Sequence, residues 1–523
     1  MKKYRKIWAV LLTLAMVLGM SMTTMAATHK PTGDDKANIV VENVAKDAKV
    51  DAYKIIRADY DNNGLIGYKW LAGTKGDDEV AVTFTDGKVD GLDSDFITEY
   101  ANKVSGASNA TATAEANNTA TLTDLGVGTY MILVTPTTKG VTYNPMIASV
   151  NYDTNKSGSD NTAGDGNVDA SDDWKVDDVV VYAKSSALAL TKDLDDDTKE
   201  VVASGENANE KINFTVTTTI PSYSKAYDGE NFKFEIVDAL NTGLRYASTE
   251  PVVKVGGNIV TAENTYTSTF NATKNTFTIS FKPDYLRGLA GKTDVQRSVE
   301  ITYGAYATAA ATVANPGENT VTLYYSDTPG TIKNLTDKEK VYTFAITGDT
   351  IKKVKEDGTA LPDATFTLYK DAELKNVFAT CTTDDNGTIA FSGLGALENS
   401  QTKGTGVYYL KETAAPNGYT INDTVYEVKV ATITRASATD DSIKKYTVTV
   451  KNLTTNEEKI TTYTKNGTAV TVSGTVTNIV NTKLTALPST GGIGTTIFTI
   501  GGCAIMIAAA FLFFASRKKN ENK

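Results

Sequence analysis

The 523-residue sequence predicts an all-β fold: tandem immunoglobulin-like β-sandwich domains with a small helical insertion in the first. Two observations carry this. Runs rich in β-branched and aromatic residues recur at 275–281, 298–303, 320–325, 364–369, 425–433 and 445–450, with turn residues between them. Their length and even spacing suit sandwiches, and Asn386-Gly387, between Thr382 and Phe391, is a hairpin turn signal. A single stretch, 93–104, carries apolar residues at helical spacing (Phe96, Ile97, Tyr100, Val104) and reads as the insertion.

The chain ends read as addresses. Residues 1–26 place Lys2, Lys3, Arg5 and Lys6 before an apolar run, Ile7 to Met20, and then Thr24, Met25 and Ala26 with a small residue at the cut, the pattern of a secretory signal peptide. Residues 493–515 form an apolar span followed by Arg517, Lys518 and Lys519, the pattern of a membrane crossing with a basic cytoplasmic flank. The formal net charge of −10 becomes more negative without these basic ends, which excludes a nucleic-acid-binding footprint.

Composition narrows function further. One histidine, His29, leaves no Ser/His/Asp or Cys/His hydrolase and no His-rich zinc site, so neither an enzyme nor a cofactor is expected. Of two cysteines, Cys503 lies in the apolar span and Cys381 stands alone, so no internal disulfide stiffens the ordered part. Asp/Asn-rich strings at 59–64 and 153–158 resemble the first half of a calcium loop, yet Trp70 and Gly164 occupy the position of the bidentate glutamate. Turn chemistry explains both strings, and the Gly/Asp/Asn/Ser-rich stretch 153–173 reads as a loop.

Leu487, Pro488, Ser489, Thr490 and Gly491 stand just before the span. LPxTG, a span and a short basic tail together resemble the sorting signal of Gram-positive surface proteins. The resemblance implies that a sortase cuts between Thr490 and Gly491 and passes Thr490 to an amine. Residues 351–369, 408–419 and 479–483 look like the opening, the E-box and the closing strand of a CnaB-type domain in sortase-assembled pilins. Residues 188–192, 234–244 and 318–325 similarly resemble the signatures of a CnaA-type module.

The resemblance implies self-made isopeptide bonds. Burial disfavours charge, so a core lysine tends toward a neutral amine and a neighbouring carboxyl toward the acid. Lys353 would attack the side-chain carbonyl of Asn481 with Glu412 shuttling protons; Lys352 and Lys355 are competing nucleophiles. Lys192, Asp238 and Asn319 would form the corresponding set in the middle domain, with Asn315 a rival acceptor. Each link would join the first strand of a domain to its last and, on the disulfide scale, stabilise by about 4–5 kcal/mol. The first domain shows no comparable set.

The implied domains are 27–184, 185–348 and 349–484, after the signal peptide 1–26 and before the sorting region 487–523. Residues 174–184 resemble the pilin motif, whose lysine receives the neighbouring subunit; here that lysine is Lys184, with alanine at 183 where the family has proline. Losing proline removes a fixed φ, and Lys175 is the alternative acceptor. The implied function is the backbone subunit of a covalently polymerised, wall-anchored pilus serving adhesion and colonisation. Its partners would be identical subunits, pilus and housekeeping sortases, peptidoglycan, minor pilins and host surface ligands. The alternative is a monomeric LPxTG-anchored adhesin that binds a host ligand through its N-terminal domain.

Overall fold

The structure, a computed structural model, describes residues 31–62, 64–85, 88–104, 107–154, 174–194, 211–229, 231–248, 250–308, 310–398, 406–435, 443–484 and 492–520. Strands dominate it, and the chain divides into two compact units. One is Met1–Phe344 with Gly393–Ala396, the other Ala345–Ser392 with Leu397–Lys523. The expected signal peptide 1–26, the sorting residues Leu487 to Gly491, and residues 155–173 of the expected loop lie outside the described residues.

The first unit holds two buried apolar clusters, one drawn mainly from residues 37–183 and one from 188–341. In the first sandwich, Lys36–Glu42 lies between Thr119–Gly126, antiparallel, and Val179–Tyr182, parallel. Strict alternation along Lys36–Glu42 turns Ala37, Ile39 and Val41 into the core. The second sheet runs Met146–Val150, Gly128–Thr135, Lys49–Asp61, Gly64–Trp70, Val80–Ala81, with Ala110–Thr113 also on Lys49–Asp61. Gly128, at φ +146°, is required there: a Cβ would meet the Ile56 carbonyl oxygen at 2.3 Å, beside an irregularity in the register.

The helix Ser94–Lys103 sits where the sequence places the insertion, between Lys88–Val89 and Ala110–Thr113. Asp93 caps it by accepting from the Asp95 and Phe96 amides, while Phe96 packs its ring 4.8 Å from that of Trp70. In the first calcium-like string, Asp59 is held by Arg57 at 2.8 Å and Lys69 at 2.7 Å, so basic side chains satisfy its carboxylate.

In the second sandwich, Thr191–Leu194, Ile212–Thr219, Ser298–Ala307, Val252–Val255 and Asn258–Ile259 form one sheet. Tyr266–Asn271, Thr276–Phe281, Phe234–Leu240, Gly317–Thr328 and Thr331–Val341 form the other. The two sandwiches of this unit are joined by a polar seam. Ala226 enters the first cluster, the Tyr227 hydroxyl reaches the Tyr143 and Asp327 carbonyls, and Gly140 N donates to the Tyr325 hydroxyl at 2.6 Å.

In the second unit a sheet runs Val377–Thr382, Thr365–Tyr369, Val407–Ala414, Tyr426–Arg435, Ile443–Asn452, Glu458–Asn466, Ala469–Gly474, with Leu397–Glu398 on Tyr426–Arg435. The first strand, Ile351–Lys355, pairs in parallel with the last, Thr477–Asn481. The apolar span is a helix, Gly492–Asn520, with mean hydropathy 2.4 over Ile497–Phe514.

The Asn386-Gly387 hairpin is corrected. A turn forms, with Gly387 at φ +66°, but Val377–Thr382 pairs with Thr365–Tyr369 while Phe391–Leu394 belongs to another sheet. The Gly387 carbonyl accepts from Lys353 N at 2.7 Å, and a Cβ on Gly387 would meet the Lys353 carbonyl oxygen at 2.1 Å. The turn docks against Ile351–Lys355 instead of folding its own flanks together.

Candidate functional site

Three places in the chain collect the side chains singled out above. In the second unit, Lys353 and Ile479 are register partners, and alternation puts Asn481 on the same inner face as Ile479. Glu412 points inward from Val407–Ala414, behind Tyr408 and Leu410. Lys353, Glu412 and Asn481 are each at most 1% exposed.

Lys353 Nζ donates to Glu412 Oε2 at 3.1 Å and to Asn481 Oδ1, while Asn481 Nδ2 donates to Glu412 Oε1 at 2.7 Å. The amine, the amide and the acid therefore close a ring, and Lys353 Nζ lies 5.6 Å from the centre of the Phe366 ring. Burial pushes the Lys353 ammonium below its ordinary value, against the pull of the Glu412 carboxylate. Lys352 and Lys355 are only half-buried and stay outside this ring. Sequence reasoning missed Asn422, whose backbone N–H donates to Glu412 Oε2 at 2.9 Å and whose side chain donates to the Val480 carbonyl at 3.0 Å. No local signal marks a loop residue that acts through its backbone.

In the second sandwich of the first unit, Lys192 is 2% exposed, and Asp238 and Asn319 are fully buried. Asp238 faces Val321 across the sheet and Asn319 faces Leu240, so both project from one inner face. Lys192 Nζ donates to Asp238 Oδ2 and to the Tyr303 hydroxyl, which in turn donates to Asp238 Oδ2 at 2.6 Å. Asn319 Nδ2 donates to the same hydroxyl at 2.9 Å, and Asn319 Oδ1 is buried without a hydrogen-bond partner among the described residues. Tyr303 thus stands between Lys192 and Asn319.

Tyr246 donates to Asp238 Oδ1 at 2.7 Å. Burial lowers the Lys192 pKa, and burial beside Asp238 raises that of Tyr303 far above the ordinary phenol value. The rival Asn315 is exposed, in a turn held by Thr312. The missed residue is Tyr303; its inward register in 298–303 was the available signal.

The third place is the junction of the two sandwiches in the first unit. Val179–Tyr182 ends beside Glu42, and Lys184 follows with its side chain exposed. The backbone around it is tied on both sides. Ala183, 2% exposed, donates its N–H to the Glu42 carbonyl at 2.9 Å and accepts from Asn43 Nδ2 at 2.7 Å. The Lys184 carbonyl accepts from Asn144 N at 3.1 Å, and the Asn144 side chain clamps Ser222 and Ser224 of the second sandwich. Lys175 is ion-paired with Asp177 at 2.5 Å, whereas among the described residues Lys184 forms no ion pair.

Comparison with known proteins adds to this geometry. Residues 348–442 match the model of a prealbumin-like fold domain and residues 479–522 that of the LPXTG cell wall anchor motif. The chain is 28% identical to the trypsin-resistant surface T6 protein of Streptococcus pyogenes serotype M6, over 97% of this chain and 99% of that one. The similarity to that surface protein thus runs along nearly the whole of both chains.

Against the solved T6 backbone pilin of serotype M6 Streptococcus pyogenes, this chain superposes with a TM-score of 0.57 at 22% identity, covering 87% of this chain and 100% of that one. The full-length major pilin SpaD of Corynebacterium diphtheriae is also similar, at 18% identity and a TM-score of 0.49, over 86% of this chain and 98% of that one. With its match to the LPXTG anchor motif, the chain is a cell-wall anchored, extracellular surface protein of tandem all-β domains.

Proposed function

We propose that this chain is the structural backbone subunit of a covalently polymerised pilus. A sortase joins Thr490 of one copy to Lys184 of the next, and the final subunit is passed to peptidoglycan. Homology to the T6 pilin and the anchor motif support the polymer; the exposed Lys184 on a backbone tied at both neighbours supports the acceptor. The three-part division at 27–184, 185–348 and 349–484 goes with this reading, each part having its own strands.

Within each copy, Lys353 condenses with Asn481, and Lys192 with Asn319. The observation that carries this is the closed ring of Lys353, Glu412 and Asn481 in a buried core. Proton transfer within the buried pair leaves a neutral amine and a carboxylic acid. As the Lys353 nitrogen bonds to Cγ of Asn481, Glu412 gives its proton to Nδ2, which it already touches and which departs as ammonia, and then takes the surplus proton of the new linkage. No group is consumed besides the two that join, so the reaction runs once.

The experiment is a wall extract, boiled in detergent and probed for this protein. A ladder of high-mass species is expected, collapsing to monomer when Lys184→Ala is introduced. A single band in the unaltered strain would refute the polymer.

A further inference from the structure

We propose that Tyr303 is a catalytic side chain of the Lys192–Asn319 condensation, passing a proton from Asp238 to the departing nitrogen of Asn319. The proposal rests on the reading that these two residues condense. Its ground is a difference between the two sites. At the second unit's site the acid is a glutamate, and Glu412 touches both the amine and the leaving nitrogen, at 3.1 and 2.7 Å. At the first unit's site the acid is an aspartate, one methylene shorter.

Asp238 reaches Lys192 Nζ, but the Asn319 Nδ2 bond goes to the Tyr303 hydroxyl, 2.9 Å away. Among the described residues, that hydroxyl is hydrogen-bonded to all three partners: Lys192 Nζ, Asp238 Oδ2 and Asn319 Nδ2. It supplies the reach that the shorter acid lacks. With Asn319 Oδ1 unpartnered among the described residues, Tyr303 is also what orients the amide.

The ring is fixed for this task. It lies within 5.6 Å of Phe214 and 4.9 Å of Phe277, between centroids, so the hydroxyl has little freedom to leave the triad. The atoms balance as follows. Lys192, as neutral amine, forms the N–C bond to Cγ of Asn319. As the bond from Cγ to Nδ2 breaks, the proton of Asp238 moves to the Tyr303 oxygen and the proton of Tyr303 moves to Nδ2, which leaves as ammonia. The new linkage then gives its surplus proton to Asp238. Tyr303 ends as the phenol it began, and the concerted exchange avoids a phenolate, which burial beside Asp238 makes costly.

The test follows bond formation in the full chain, made by cell-free synthesis with detergent to hold its apolar helix. Samples are digested at intervals, and the Lys192–Asn319 and Lys353–Asn481 branched peptides are counted by mass spectrometry. Tyr303→Phe keeps the ring; it should slow the first link by about 100-fold or more and leave the second unchanged. Adding Asp238→Glu to that variant should restore much of the rate, because the longer acid reaches the leaving nitrogen itself.

Tyr303→Phe at the unaltered rate, or a double variant as slow as Tyr303→Phe, would overturn the relay. Should Tyr303→Phe not fold, the unaltered chain still decides. Its first link should form more slowly in heavy water with a curved dependence on deuterium fraction, and a straight or absent dependence overturns the proposal. If no Lys192–Asn319 peptide forms in the unaltered chain at all, the underlying condensation is wrong and the relay falls with it.

Discussion

Ala183 donates its backbone N–H to the Glu42 carbonyl oxygen at 2.9 Å, a bond that proline at the same position could not make. The departure from the family pattern thus exchanges a ring constraint for a hydrogen bond, reinforced by Asn43 from the other side. Ala183→Pro should therefore destabilise the first unit, by about 1 kcal/mol for the lost hydrogen bond, read from the denaturant midpoint. A midpoint equal to that of the unaltered chain would show that this hydrogen bond contributes nothing.

Intact mass separates the two internal links. The unaltered chain should weigh two ammonias less than its composition, and Glu412→Gln one, because an amide cannot carry the proton between Lys353 and Asn481. An unaltered chain at full calculated mass would remove both links.

A variant that cannot link exposes the buried amine to titration. In Asn481→Ala, Lys353 stays free, and its folded pKa lies below the ordinary 10.5 because burial disfavours the ammonium. Between these two values the unfolded chain binds more protons than the folded one, so stability rises with pH through that window and levels off above 10.5. The linked chain has an amide there and lacks this dependence. Melting temperatures of both across the alkaline range are the measurement, and parallel curves would contradict it.

Pulling distinguishes linked from unlinked material directly. Lys353 and Asn481 are 128 positions apart, so unfolding the second unit of Lys353→Ala should release about 430 Å of contour that stays locked in the unaltered chain. The Ile351–Lys355 and Thr477–Asn481 strands are parallel, so pulling them apart strains their hydrogen bonds together rather than in succession. Equal contour gains in both chains would place Lys353 outside any link.

Period-2 patterning made much of this legible. The inward positions of Lys353, Asn481, Asp238 and Asn319 follow from alternation along single strands, which is a local property. The inward register of Tyr303 was legible in the same way, but its role was not, because that depends on separate strands bringing Lys192 and Asn319 to its hydroxyl. Nor was the fate of Asn386-Gly387, where docking against Lys353 outweighs the local hairpin preference. The seam around Ala226 and Tyr227, which gathers the first two sandwiches into one unit, rests on contacts between residues 84 and 185 positions apart.

Lys184 lies between Val179–Tyr182, a strand of the first sandwich, and Ser185–Ala187, which pairs with Val141–Tyr143. In a fibre joined through Lys184 and Thr490, tension enters each copy at residue 184 and leaves at residue 490. The first sandwich then hangs beside the cable rather than within it. It can be clipped without parting the fibre, and among its described residues no lysine is buried.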